Sequence, residues 1–312
     1  MPHKRTLALV CQYLGHVLYN GVYSQNPNSA FRHLMLSYQH AYHAGNYADV
    51  IKHFCLVRIL SYLSLKEKPL AYIDTHAGRG LYDLYGKMAN KTEEFQQGIA
   101  LLWEERKQAP TVFKPYLDII KSLNPKGILR YYPGSPYLAT ASLRDIDRLV
   151  FSELHPEEFT HLNGMARKGK RAFLNEEDGI KGLKALLPPI EKRGLIFMDP
   201  SFEVKEEYKT IPQNLQAAYA RFPTGVFCLW YPILDDYTHN QLITNLKKIM
   251  ANRVLHVEFH LTTKAQAGLR GSGLWIINPP YGLSDELKQG LGFLKTVFNN
   301  GLSSFTIDNY QA

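Results

Sequence analysis

The residues best able to do chemistry in this 312-residue chain are acids that end apolar runs. In Leu195-Ile196-Phe197-Met198-Asp199-Pro200-Ser201-Phe202, an apolar run delivers an acid, a proline and an aromatic to a loop. Such a group is a platform for an exocyclic amine. The Asp199 carboxylate and the Pro200 carbonyl can accept the two amine hydrogens, and Phe202 can stack on a base, worth about 1–3 kcal/mol. Upstream, Leu70-Ala71-Tyr72-Ile73-Asp74 breaks into Thr75-His76-Ala77-Gly78-Arg79-Gly80. Gly78 and Gly80 lack Cβ, so the loop can turn tightly and press main-chain N–H groups against a ligand. Asp74 can hold a cationic or hydroxyl group there. Glu153 ends a further apolar run, and Asp178-Gly179 opens a helix. A lone G-x-G also describes a plain strand-to-helix turn, so its meaning depends on the rest of the chain.

These acids act together only if the elements before them end side by side. Apolar runs predict strands at 70–74, 149–153, 171–174, 195–199, 225–230, 254–261 and 273–277. Between them, helical patterns are expected at 47–65, 92–107, 111–123, 137–145, 157–166, 178–186, 213–221, 237–250 and 284–299. Seven strands alternating with helices imply an α/β, Rossmann-like fold: a mostly parallel, doubly wound sheet with helices on both faces. Ligands of such sheets bind outside the carboxyl ends of the strands, where Asp74, Glu153, Asp178 and Asp199 fall. The ribose-holding acid of a dinucleotide-type fold ends the second strand ~20 residues after the glycines. Here Glu153 comes much later, and a small helical subdomain inserted at about residues 85–130 accounts for the delay.

The helix at 47–65 is expected to be amphipathic, with Val50, Phe54 and Val57 at helical spacing, Ile51 and Leu60 widening the stripe, and Lys52 and His53 beside it. His40, His43, His53 and His76 match no closed metal-site spacing and are read as hydrogen-bonded loop or pocket histidines, with no metal expected. Hydrophobic content of 45% and charged content of 21% describe an ordinary globular protein. A formal charge of +8 favours an anionic partner, nucleic acid first. Basic clusters stand at Arg167-Lys168-Gly169-Lys170-Arg171 and Lys247-Lys248. Three scattered cysteines without a C-x-x-C pair support neither a disulfide framework nor a zinc site, and fit a reducing cytosol. No run approaches the ~18 apolar residues of a membrane span. Residues 1–34 are read as an N-terminal extension of open role. Its Lys4-Arg5 and mildly apolar stretch 7–23 are interrupted by Gln12, His16 and Asn20 and lead to no cleavage site, which argues against export. Residues 35–312 are read as the catalytic domain.

Motif density rises at Met35-Leu36-Ser37-Tyr38-Gln39-His40-Ala41-Tyr42-His43-Ala44-Gly45-Asn46. With the Asp74–Gly80 loop, Tyr131-Tyr132-Pro133-Gly134-Ser135-Pro136, Glu153-Leu154-His155-Pro156, Asp178-Gly179 and the run into Asp199, these form an ordered set. From residue 35 to about 300 the chain resembles the S-adenosylmethionine-dependent adenine-N6 methyltransferases, and more closely the bacterial RlmJ family, which methylates an adenine of 23S ribosomal RNA. The resemblance implies a Rossmann-like methyltransferase fold with S-adenosylmethionine as cofactor. It implies cofactor contacts from His53, His76, Ser135, Glu153, Asp178, Gly179 and Asp199. Asp199, Pro200 and Phe202 would be the catalytic group, and Tyr38 and His40 would face the RNA. Glu153 can accept from both ribose hydroxyls and Asp178 from an adenine amine. The implied partner is 23S rRNA, naked or partly assembled, met in the cytoplasm by a monomer with no membrane and no obligate protein partner.

The family's tetrad is Asp-Pro-Pro-aromatic, and this chain has Ser201 at the second proline, which leaves Pro200 freer to move. Asn278-Pro279-Pro280-Tyr281 is a cleaner textual match to an amino-methyltransferase tetrad. It follows the seventh expected strand, however, far from the Asp74 loop in chain order. The same chemistry could serve a DNA adenine-N6 methyltransferase, although no separate sequence-reading domain is evident, and Ser201 makes a non-catalytic nucleic-acid-binding relative conceivable. Because both acceptors and the aromatic remain, activity is expected to survive Ser201. Turnover of a Ser201→Pro variant in a methyl-transfer assay should equal or exceed that of the unaltered chain through tighter preorganisation, and a much lower value would refute this account.

Overall fold

In this computed structural model, described over residues 39–166, 172–249, 251, 253–261, 269–298 and 302–311, side-chain alternation explains the layers. Along β1 (Ala71–Asp74) Tyr72 enters one apolar layer and Ile73 the other. Along β6 (Gly194–Met198) Leu195 and Phe197 join the first, Ile196 and Met198 the second. Strands buried on both faces need helices on both sides of the sheet. The remaining strands of that sheet are β4 (Arg148–Ser152), β5 (Ala172–Asn175), β7 (Val226–Leu234), β8 (Arg253–His260), β9 (Leu269–Ile277) and β10 (Ser304–Gln311). Their order is β10-β8-β9-β7-β6-β1-β4-β5. The five strands from β7 to β5 are parallel. β9 runs antiparallel between β7 and β8, and β10 is antiparallel to β8. From β1 the chain winds outward through β4 and β5, then returns to β6 and β7 on the other side. The order therefore reverses between β1 and β6, the crevice where such sheets bind ligands.

The sheet has eight strands, one more than expected. The added strand, β10, lies at an edge, where Phe305 and Ile307 pack on one apolar layer and Tyr310 on the other, while Ser304, Thr306, Asp308 and Asn309 are exposed. A second short ladder joins β2 (Leu81–Asp83) to β3 (Tyr131–Pro133). Between these two lie α2 (Ala89–Thr92), α3 (Ile99–Glu104) and α4 (Lys114–Leu123), with 3-10 turns among them. The single helix expected at 92–107 is broken. Glu93 is left-handed at φ 53°, and Gly98 sits at φ −130°, ψ −106°. The Gly98 break has a cause: any Cβ there would overlap the Gly45 carbonyl. The other helices are α5 (Ser135–Ser142), α6 (Pro156–Ala166), α7 (Gly179–Leu186), α8 (Glu207–Arg221), α9 (His239–Leu246) and α10 (Leu283–Val297). α8 starts six residues before the expected 213 and carries Pro212 inside it.

Helix α1 (Tyr47–Leu63) is not the amphipathic surface helix expected: only Arg58, Ser61 and Tyr62 escape burial. The sheet covers one side, and α5, the inserted helices and α10 cover the rest. Phe54 stacks on Phe113 with ring centroids 4.2 Å apart. Gly290 lets α10 close over that pair, since a Cβ there would run into the Phe54 ring. The rival tetrad is placed by the reversed strand. Ile277 pairs with Phe227 and Val254, so Asn278 leaves β9 at the amino edge of the parallel strands, opposite the Asp74 and Asp199 ends. The Asn278 amide donates to the carbonyls of Pro223 and Gly225, 2.8 Å each, which makes it a turn fastener. Tyr38, residues 1–34 and the cluster 167–171 lie outside the described residues. Phe54→Ala should lower unfolding free energy by about 3–5 kcal/mol in urea titrations, because the large ring leaves a hole among three elements that cannot all collapse.

Candidate active site

β6 hands its chain to Asp199 directly after Met198, and a lysine from α1 meets it there. Lys52 Nζ donates to Asp199 Oδ2 at 2.5 Å and stands 2.9 Å from Asp49 Oδ1. Both Lys52 and Asp49 are almost wholly buried. Burial works against the Lys52 charge, but Asp199 and then Asp49 outweigh it and push the ammonium above its ordinary range. Burial likewise opposes the Asp49 carboxylate, and the charges of His40 and Lys52 hold it well below the usual carboxylate range. His40 Nε2 reaches Asp49 Oδ2 at 2.8 Å. The Lys52 ammonium also faces the Trp230 ring, 5.0 Å from its centroid. Asp199 is thus half-buried, with one oxygen held by Lys52 and the other left to accept from an amine.

Glycines and acids of the neighbouring strand ends form a cradle beside it. Gly78 and Gly80 take positive φ, 61° and 79°, which a larger residue adopts only under strain. Arg79, between them, is pinned by Glu158 of α6. Glu153, following β4, accepts the Gly78 and His155 N–H groups at 2.7 Å each. Burial pushes its carboxyl up. Asp178 caps α7 by accepting from the N–H groups of Ile180 and Lys181. Burial would raise its pKa, but the bond from Lys181 lowers it. Gly179 is pressed so closely on Thr75 that a Cβ would collide with the Thr75 carbonyl. His76 stands in the fields of Asp199 and Asp178, yet burial dominates and lowers its pKa to about 4. The two acids at the ends of β4 and β5 and the open glycine loop suit a ribose and an adenine ring: each carboxylate keeps acceptor capacity beyond its backbone bonds.

Asp74 is buried and accepts from the Tyr72 hydroxyl at 2.8 Å and from Ser135. Burial raises its pKa to about 7, with Asp199 adding to the rise. Ser135 is itself buried, at the first turn of α5. His53 gives its Nδ1 to the Tyr132 hydroxyl at 2.7 Å, and burial drives its pKa down to about 3, so it is neutral. The four histidines take four separate partners: Asp49, Glu94, Tyr132 and Thr75. Pro200 is buried, and Phe202, only 6% exposed, packs on Tyr208 at 4.7 Å with a left-handed backbone, φ 53°. The carboxyl group of Glu207 accepts from the backbone of Val204 and Phe202 and supports that turn. His76, Asp178, Asp199 and Lys52 are therefore together, and His40 joins them through Asp49. His53 and Ser135 face inward to protein partners. Lys52, Asp49, Glu207 and Trp230 were not singled out from the sequence. The pairing of Asp49 with Lys52 one helical turn apart, in an otherwise apolar stretch, was the available signal.

The family described as "Ribosomal RNA large subunit methyltransferase D, RlmJ" matches residues 67–308. The chain is 39% identical over 261 residues to "Ribosomal RNA large subunit methyltransferase J" of Escherichia coli K12, covering 83% of this chain and 93% of that protein. The Haemophilus influenzae protein of the same name is 38% identical over 277 residues, covering 88% and 98%. A crystal structure of a Legionella pneumophila protein superposes with a TM-score of 0.81 at 47% identity, covering 85% of this chain and 98% of that one.

Asp74 gives a pH test with a defined sign. Its folded pKa, about 7, lies above the ordinary aspartate value of 3.8. The native state therefore binds the extra proton between those values, and stability falls as pH rises. The unfolding free energy of the unaltered protein minus that of Asp74→Asn should decline from pH 3.8 to about 7 and then level off, as followed by urea titration at stepped pH.

Proposed function

We infer that this chain, which belongs to the RlmJ family of ribosomal RNA large subunit methyltransferases, transfers a methyl group from S-adenosylmethionine to the N6 amine of an adenine in 23S ribosomal RNA. The observation that carries the reading is the Asp199 carboxylate, held at the carboxyl end of β6 by Lys52 and within the field of His76, beside the glycine loop of β1. S-adenosylmethionine, when bound, supplies an electrophilic methyl on a sulfonium and departs as the neutral thioether. Every other task falls to the protein. Glu153 accepts from the ribose hydroxyls, Asp178 from the adenine amine of the cofactor, and the N–H groups around Gly78, His76 and Gly179 line its path. His53 and Ser135 complete that wall from behind. Asp199 and the Pro200 carbonyl accept hydrogen bonds from the two N6 hydrogens of the target base, which aims the nitrogen lone pair and favours the charge that develops on it, and the nitrogen loses one proton during or after the transfer. Phe202, packed on Tyr208, backs the Asp199–Pro200 turn behind the base, and Tyr38 and His40 meet the RNA.

Alignment carries most of the rate, since effective molarities for well-held reactants reach ~10⁵ M or more. A paired base cannot reach the pocket, so the adenine is unpaired or flipped out. The +8 charge favours a polyanion, and the inserted stretch at about 85–130 is a second RNA contact surface. No helix among the described residues is long and apolar enough to cross a membrane. We place the protein in the cytoplasm, as a monomer acting on naked or partly assembled 23S rRNA, with residues 1–34 as an extension outside the catalytic domain. Purified protein should label deproteinised 23S RNA and not duplex DNA, and Asp199→Ala should lower turnover by about 10²–10³, the scale of losing one preorganised acceptor or donor. Full-speed labelling by Asp199→Ala would sink the reading.

A further inference from the structure

A buried carboxylate of the inserted segment reaches the loop that leads into the catalytic machinery. Glu94 opens a 3-10 turn between α2 and α3 and is 5% exposed. Its two oxygens hold two different donors: His43 Nδ1 at 2.6 Å and the Asn46 amide at 3.0 Å. The bond to Glu94 raises the His43 pKa above its ordinary value, which favours an imidazolium–carboxylate pair. Asn46 turns its other end inward, where its Oδ1 caps α1 by accepting the Asp49 N–H at 2.9 Å. Two residues away from His43, the Gly45 N–H donates to Asp49 Oδ2 at 2.9 Å, while the Gly45 carbonyl accepts the Ile99 N–H of α3 at 2.8 Å. Asp49 then grips Lys52, and Lys52 grips Asp199.

A buried ion pair is a weak stabiliser, since apolar groups of the same volume often serve as well. What the Glu94 pair supplies is orientation. A carboxylate with each oxygen on a separate donor fixes both the His40–Asn46 loop and the start of α1 relative to the insertion. We propose that Glu94 is a positioning residue: docking of the inserted helices through it sets, by way of Asn46 and Asp49, the placement of the Lys52–Asp199 pair and of His40. This rests on Asp199 being the catalytic carboxylate. RNA bound on the insertion would thereby be held in register with the methyl-transfer centre through a rigid joint.

The test compares Glu94→Ala, Glu94→Gln and His43→Gln with the unaltered protein on a deproteinised 23S RNA fragment. It records kcat, KM for RNA, S-adenosylhomocysteine affinity, Tm and the ¹⁵N resonances of the histidine rings. Glu94→Ala should lower kcat by about 10–10²-fold, the scale of a small misplacement of reacting groups, with S-adenosylhomocysteine affinity unchanged. Glu94→Gln keeps an acceptor for the Asn46 amide and should recover most of that loss, and His43→Gln should fall between. An unaltered kcat in Glu94→Ala, or a loss that follows Tm and is not recovered by Glu94→Gln, overturns the proposal. Should Glu94→Ala fail to fold, an unaltered kcat in both remaining variants overturns it. If the unaltered protein methylates no RNA, the functional reading fails. The joint is then judged by the His40 ring resonance, which shifts in Glu94→Gln if the chain of contacts transmits and stays put if it does not.

Discussion

A single ammonium group, that of Lys52, is kept out of water between Asp49 and Asp199. Moving one such ion indoors costs several kcal/mol even after the protein relaxes. With one partner it would tend to shed its proton, whereas two carboxylates and the face of Trp230 keep it charged. Much of the fold follows from this demand. The lysine stays dry only if α1 is roofed on every side, which explains why the helix is buried nearly all round. It also explains why Gly290 and Gly98 allow backbones and rings to approach without a Cβ between them. The roof in turn requires a chain segment long enough to wrap over α1, and the helices between β2 and β3 supply it.

The site separates groups by burial. Desolvation drives His53 and His76 neutral and pushes Asp74 toward its protonated form. Asp49 and Asp178 are held below the usual carboxylate range, and Lys52 is held above the ordinary range of an ammonium. The same backbone economy recurs at the glycine loop, where Glu153 spends both oxygens on N–H groups of its own chain and so fixes the loop that it must share with a ligand.

The strand ends were legible because they combine two signals, an apolar run and a terminal acid, that only a buried parallel strand produces together. Asp74, Glu153 and Asp199 were found in this way, and the order of the sheet agrees. α1 was misjudged because an apolar stripe is visible in one dimension, whereas a roof made of residues from 95 to 123 and 283 to 297 is not. Lys52 was read only as lying beside that stripe for the same reason, and Asp49 was not read at all. β10 escaped because an edge strand needs apolar side chains on one rail only. The break at Gly98 could not be foreseen from its neighbours, since its cause, the Gly45 carbonyl, lies more than fifty residues earlier. Asn278-Pro279-Pro280-Tyr281 shows the opposite failure. Its text fits an amine-binding tetrad, but the reversal of β9 carries it to the wrong end of the sheet.

β10 also has a bearing on how copies of this protein meet one another. It caps the β8 ladder, and its exposed side chains, Thr306 and Asp308 on one face and Asn309 on the other, flank its free backbone edge. An incoming strand from another molecule would have to desolvate a carboxylate and an amide before gaining its first backbone bond. Growth of the sheet across molecules is thereby discouraged at that border.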